Sequence, residues 1–130
     1  MLIGEVATCS GVPARTIRFY EQAKLLSVPP RSDAGYRIYS DRTLAELAFI
    51  KRAQRLGFSL DEIREILGLG HQGRLPCNRV TAICDTHLTA IDRQMAELQT
   101  FRKLLEQVRR KARAQCGFTS EGFCKAIMGL

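Results

Sequence analysis

No apolar run in this chain approaches the ~18–20 residues that a membrane-spanning helix requires, so no such helix is expected. Glu5 interrupts the N-terminal apolar stretch within a few residues, and no secretion signal is legible. There is no internal repeat and no low-complexity tract. The five cysteines include no Cys-x-x-Cys pair, no placed Cys/His dyad and no close group of four. Those absences argue against a thiol oxidoreductase, a cysteine enzyme and an iron–sulfur sensor. An odd cysteine count without a secretion signal fits a reducing compartment, and the cytoplasm is the expected location. Finally, residues 78–115 contain neither glycine nor proline, which leaves nothing to interrupt a helix.

What is present is ordinary in hydrophobicity and unusual in charge. Of 130 residues, 45% are apolar and 25% charged, as in a globular protein. The formal net charge of +7 favours an anionic partner, nucleic acid being the commonest.

The first segment reads as helix–turn–helix. Ile3, Val6 and Ala7 form one apolar face, Ser10-Gly11 breaks the chain, and Pro13 suits the first position of a second helix. In that helix Ile17 can face inward, while Arg15, Thr16, Arg18 and Tyr20 stay available to a partner. Val28-Pro29-Pro30-Arg31 cannot be helical. The turn signal Asp33-Ala34-Gly35 beside Tyr36, Ile38 and Tyr39 predicts a small β-hairpin, a wing, with Arg31 and Arg37 flanking its turn. Asp41 is placed to cap a helix from about 42 to 56, closed by Gly57. Ser59-Leu60-Asp61-Glu62 is a capping box opening a short helix with Ile63, Ile66 and Leu67 inward. Gly68, Gly70 and Gly73 mark residues 68–76 as the loosest stretch.

Over 78–115, Cys84, Ile91, Leu98, Leu105 and Ala112 recur every seven residues, interleaved with Leu88, Met95, Phe101 and Val108. This is a coiled-coil seam, and a single helix carrying it needs another helix to cover it. Burying five large seam residues at ~1.5–3 kcal/mol each supports dimerisation before entropy is charged. Cys77 stands at one end of this segment, with Cys116 and Cys124 just beyond the other. At ~1.5 Å per residue the two ends lie roughly 55–60 Å apart, too far for one ion. Two chains paired antiparallel bring the start of one helix beside the end of the other. The cysteines therefore predict a dimer with a metal site shared between subunits. Cys84 falls in the seam and reads as packing, Cys9 as a buried small residue, and His71 and His87 as structural or solvated.

In the winged helix–turn–helix architecture the second helix enters the major groove and the hairpin lies along the backbone. Arg15 and Arg18 can reach phosphates or guanine edges, and Tyr20, Tyr36 and Tyr39 offer hydroxyls to phosphate oxygens. The motifs Ile3-Gly4-Glu5-Val6-Ala7, Thr16-Ile17-Arg18-Phe19-Tyr20-Glu21, Gly35-Tyr36-Arg37-Ile38-Tyr39 and Phe49-Ile50-Lys51-Arg52-Ala53, followed by Leu56-Gly57-Phe58-Ser59-Leu60 and Ile63, resemble the MerR family of transcription regulators. The resemblance extends over essentially the full length. It implies a mainly α protein: a winged helix–turn–helix domain (1–70), a connector (71–77), an antiparallel coiled-coil dimerisation helix (78–115) and a C-terminal metal-binding loop (116–130). It also implies a homodimer that grips double-stranded palindromic promoter DNA and undertwists an overlong spacer for RNA polymerase. Arg18, Tyr20, Arg31, Tyr36 and Arg37 match the family's DNA-contacting positions. Arg15 and Thr16, from helix geometry, and Tyr39, from the wing, complete the expected DNA-binding set.

The C-terminal pattern resembles the metal-sensing branch, in which Cys77, Cys116 and Cys124 match the ion-binding positions. A third thiolate favours a divalent soft ion: Hg(II) first, then Pb(II) and Cd(II), and Zn(II) last, since zinc usually takes four ligands. Glu121, Asn78 or water could add a fourth ligand. Seven residues separate Cys116 from Cys124, a spacing closer to that of copper-type sensors, and the loop contains no histidine. A drug-sensing relative would need a sizeable effector domain after the helix. The competing reading keeps the DNA-binding module and makes the same cysteines a thiol redox or electrophile sensor. Neither reading is enzymatic.

Overall fold

A computed structural model describes residues 1–129. Six helices follow one another: α1 (Ile3–Ser10), α2 (Ala14–Gln22), α3 (Asp41–Arg55), α4 (Leu60–His71), α5 (Cys77–Ala114) and α6 (Lys125–Met128). Two compact units result, Met1–Thr81 and the remainder from Ala82 onward. No described residue lies in an extended strand; two isolated antiparallel bridges, Arg31 with Arg37 and Phe118 with Cys124, are the β-like features.

In the first unit α1 packs on α2 and α3, and α3 on α4. Their apolar faces meet in one core of Val6, Val12, Ile17, Leu25, Leu26, Leu47, Ile50, Ala53 and Ile63, joined by Tyr20 and Tyr39. The helix–turn–helix break is made as the sequence implies. Gly11 adopts φ 73°, and its N–H caps α1 by donating to the Ala7 carbonyl, a left-handed conformation that glycine takes without steric cost. Pro13 falls one residue earlier than expected, in the capping position of α2 with ψ 146°, and it offers no side-chain cap.

Other boundaries shift for physical reasons. Ser40, not Asp41, occupies the cap position of α3, and Asp41 is its first helical residue. There its carboxylate sits at the positive end of the helix dipole. The Ser59 capping box forms in full: Ser59 Oγ accepts from the Glu62 N–H at 3.1 Å, and Glu62 Oε1 accepts from the Ser59 N–H at 2.8 Å. The expected loose stretch over 68–76 is shorter than the glycines suggest, because α4 runs through Gly68 and Gly70 to His71. Each glycine costs a helix ~1 kcal/mol relative to alanine. Burial of Ile63 and Ile66 on the same helix offsets that cost.

The wing is a minimal hairpin. Ile38 N–H donates to the Pro30 carbonyl at 2.8 Å and Ser32 N–H to that of Tyr36 at 2.6 Å, with Gly35 at φ 89° in the turn. Tyr39 N–H donates to the Met1 carbonyl at 2.7 Å, and the Met1 ammonium donates to the Tyr39 carbonyl at 2.8 Å, fixing the base of the wing to the start of α1.

Helix α5 is continuous over 38 residues, ~57 Å at 1.5 Å per residue. Leu88, Ile91, Met95, Leu98, Phe101 and Leu105 along it are 47–66% exposed, an apolar stripe uncovered in the single chain. Beyond it, residues 117–125 close on themselves. Lys125 N–H donates to the Gly117 carbonyl at 3.1 Å and Thr119 N–H to that of Phe123 at 2.7 Å. Lys111 Nζ on α5 donates to the Gly129 carbonyl at 2.7 Å, holding α6 down. No described helix is long and apolar enough to cross a membrane.

Candidate nucleic-acid interface and metal-binding thiols

Helix α2 turns its faces as its amphipathic pattern requires. Ile17 is fully buried, while Arg15, Arg18 and Phe19 are exposed and Thr16 is half-buried. Positions three and four apart share a helix face, so Arg15, Arg18 and Phe19 form one outward patch. Arg18 lines a cavity of about 610 Å³ together with Arg31, Tyr36, Arg37 and Tyr39. The opening lies between the start of α1, which contributes the Glu5 carboxylate, and the wing, with Arg18 reaching it from α2; its three guanidinium groups suit phosphate oxygens, which arginine binds through its planar fork. Tyr36 is 65% exposed at the wing turn. Arg31 Nη1 donates to the Gly35 carbonyl at 2.8 Å, which steadies that turn.

Two expected DNA-contacting hydroxyls are placed otherwise. Tyr20 is 6% exposed, and its hydroxyl donates to Gln54 Oε1 at 3.4 Å. Tyr39 is 3% exposed, and its hydroxyl donates to Glu21 Oε1 at 2.5 Å. Both rings complete the core, because the apolar surface of an aromatic ring is worth more buried than its hydroxyl is worth in solvent when a partner for that hydroxyl is at hand. Burial, then the hydrogen bond to Glu21 and its negative charge, push the Tyr39 phenol up to about 12, opposed by Arg37 and Arg18.

Glu21 is the buried charged residue of this unit, and it also pairs with Arg37, Nη1 to Oε2 at 3.2 Å. The individual roles of Glu21 and Phe19 emerge only in the fold. A carboxylate next to Tyr20 gave no sign that a wing residue would fold onto it, and which ring of the Phe19-Tyr20 pair turns outward depends on the core it meets.

All five cysteines are free thiols. Cys9 was expected to be buried; it is exposed, beside Lys51, Arg52 and Arg55 of α3, because Val6 and Ala7 supply the inward face of α1. Cys84 is half-buried, in keeping with a packing role. Cys77 is the first residue of α5, and its carbonyl accepts from Thr81 Oγ1. Cys116 and Cys124 flank the closed C-terminal loop, and Cys124 stands opposite Phe118 in the bridge and caps α6. These three thiols are exposed. Their chemistry suits a soft metal ion, and they are open to receive one. Yet no three Cys, His, Asp or Glu side chains converge to hold a metal among the described residues. Glu121 in the loop is held below the usual carboxylate range by its own backbone N–H and the hydroxyls of Ser120 and Thr119.

A helix–turn–helix unit with a basic helix, a wing and an uncovered helical stripe defines a DNA-binding regulator built to associate. Comparison with known proteins agrees. Residues 1–69 match the MerR HTH family regulatory protein profile and residues 44–108 the MerR, DNA binding profile. The chain belongs to the MerR family of transcription regulators and is not an enzyme. It is similar to the mercuric resistance operon regulatory protein of Bacillus cereus, 36% identical over 109 residues, covering 84% of this chain and 83% of that one. It is also similar to the crystal structure of the transcription regulator PbrR691 from Ralstonia metallidurans CH34 in complex with lead(II): 33% identity, TM-score 0.77, 99% of this chain and 98% of the other. HiNmlR, a MerR family regulator solved on promoter DNA, matches at 26% identity and TM-score 0.55 over 87% of this chain and 92% of its own.

Proposed function

We propose that this chain is a metal-responsive transcription regulator that binds a palindromic promoter as an antiparallel homodimer. Arg15, Thr16 and Arg18 of α2 enter the major groove, and Arg31, Tyr36 and Arg37 of the wing hold the phosphate backbone. Tyr20 and Tyr39 belong to the hydrophobic core. The three exposed thiols disposed about the two ends of α5 carry the sensing half of the reading. Cys77 of one subunit, with Cys116 and Cys124 of the partner subunit, would form a three-thiolate site. A divalent soft ion held there, with Hg(II) ranked before Pb(II) and Cd(II), and Zn(II) last, would supply charge neutralisation between the thiolates. Around it, Lys111 and the loop hydrogen bonds keep the C-terminal segment shaped to dock, and α5 carries that docking to the DNA-binding unit. The result is a two-state dimer whose equilibrium the effector biases, changing the promoter's twist for RNA polymerase.

The similarity to a mercuric resistance operon regulatory protein and to a regulator solved in complex with lead(II) supports this reading, as does the exposed stripe that requires a partner helix. Titration of the reduced protein with each ion, read by thiolate charge-transfer absorbance under competition, tests it. Saturation at one ion per three thiols is expected. If oxidants or electrophiles alter promoter transcription while metals bind only weakly, the thiol redox reading replaces it.

A further inference from the structure

Glu21 belongs to α2 yet turns inward, its side chain only 2% exposed. It touches the wing twice: Oε1 accepts from the Tyr39 hydroxyl at 2.5 Å, and Oε2 lies 3.2 Å from Arg37 Nη1. The second contact lacks the direction of a hydrogen bond. Among the described residues Glu21 Oε2 and Arg37 Nε are both buried without a hydrogen-bond partner. Such a network is held in place by charge and shape, with donor capacity on Arg37 left over. The Arg37 side chain keeps 29% exposure and borders the same opening as Arg18 and Arg31.

We propose that Glu21 is the positioning residue of the wing, holding Arg37 so that its guanidinium joins those of Arg18 and Arg31 as one cluster for a single stretch of DNA backbone. This rests on the reading that α2 and the wing contact DNA. Without the carboxylate, Arg37 swings on a flexible stem and the wing loses its charged tie to α2; Tyr39 alone keeps the hairpin seated.

The test uses full-length protein and a duplex selected by the wild type from random DNA, with affinity measured over a range of salt. Glu21→Gln, which preserves size, is expected to weaken binding ~10-fold and to reduce the slope of log affinity against log salt by ~1, the signature of one lost phosphate contact. Arg37→Ala should do the same, and the double variant should be no worse than Arg37→Ala alone. Tyr39→Phe removes a core hydrogen bond but no guanidinium, so it should lower thermal stability and leave the salt slope unchanged. Multiplying losses in the double variant, or an unchanged slope in Glu21→Gln, would overturn the proposal. An unchanged slope in Arg37→Ala would instead overturn the reading of the wing as a DNA contact, and the positioning role with it. Circular dichroism confirms that each variant is folded; if Glu21→Gln is not, Glu21→Asp, which keeps the charge and shortens its reach, takes its place in the cycle.

Discussion

If Cys77 and the Cys116/Cys124 pair meet only across subunits, two broken chains can repair each other. Helix α5 alone is ~57 Å long over its 38 residues, whereas metal–thiolate bonds run to ~2.3 Å. A straight helix of that length cannot fold its two ends onto one ion. Consider a Cys77→Ser chain mixed with a Cys116→Ser chain. Each homodimer contains two damaged sites. The mixed dimer contains one site damaged twice and one fully restored, with Cys77 from one chain and Cys116 and Cys124 from the other. Random pairing at equal amounts makes about half the dimers mixed, each with one good site of two, so tight-binding capacity should recover to about one quarter of the wild type. The assay is metal titration by charge-transfer absorbance, after co-refolding and for each variant alone, with a chelator that strips weak two-thiolate complexes. No recovery in a mixture shown by differently tagged chains to contain mixed dimers would refute the shared site. So would full tight binding by either variant alone.

Three further outcomes follow from the first unit. Arg18→Ala should weaken operator binding by ~1–3 kcal/mol, as for one specific arginine contact, without altering metal affinity; gel shift and metal titration of the same preparation check both halves. The Tyr39 phenol, pushed up to about 12 from its ordinary value of 10.0, makes stability fall at alkaline pH. Its contribution of ~2–3 kcal/mol is complete below the unfolded value near 10 and lost as pH rises through the folded one, so urea unfolding at increasing pH should show a decline that Tyr39→Phe largely removes. Ser59→Ala breaks the capping box of α4 and should cost ~1 kcal/mol in the same unfolding assay, with DNA affinity at saturating protein stability unchanged.

The helices were legible because their signals are local. Apolar residues at helical spacing, Gly11 at a left-handed break, the Ser59–Glu62 box and an unbroken 78–115 stretch each act within a few residues, and each appears in the fold, the last as a helix over Cys77–Ala114. Misjudged boundaries lie where tertiary packing outweighs local propensity, as in α4 running on through Gly68 and Gly70. The arginines and thiols of the candidate sites were legible by residue type and spacing, since charge and sulfur chemistry belong to the side chain itself.

What each aromatic or acidic residue does was not legible in that way. Tyr20, Tyr36 and Tyr39 look alike in sequence; only the packed core turns two inward and leaves Tyr36 at the wing tip. Cys9 faces solvent because neighbouring side chains took the inward positions on α1. Glu21 is joined to Tyr39 and Arg37 by contacts that the chain makes 16 to 18 residues away. The sequence by itself determined helix, turn, charge and donor chemistry. Tertiary structure alone decided burial and partner choice, because both depend on which side chains, distant in the chain, fill the same small volume and satisfy each other's polar groups.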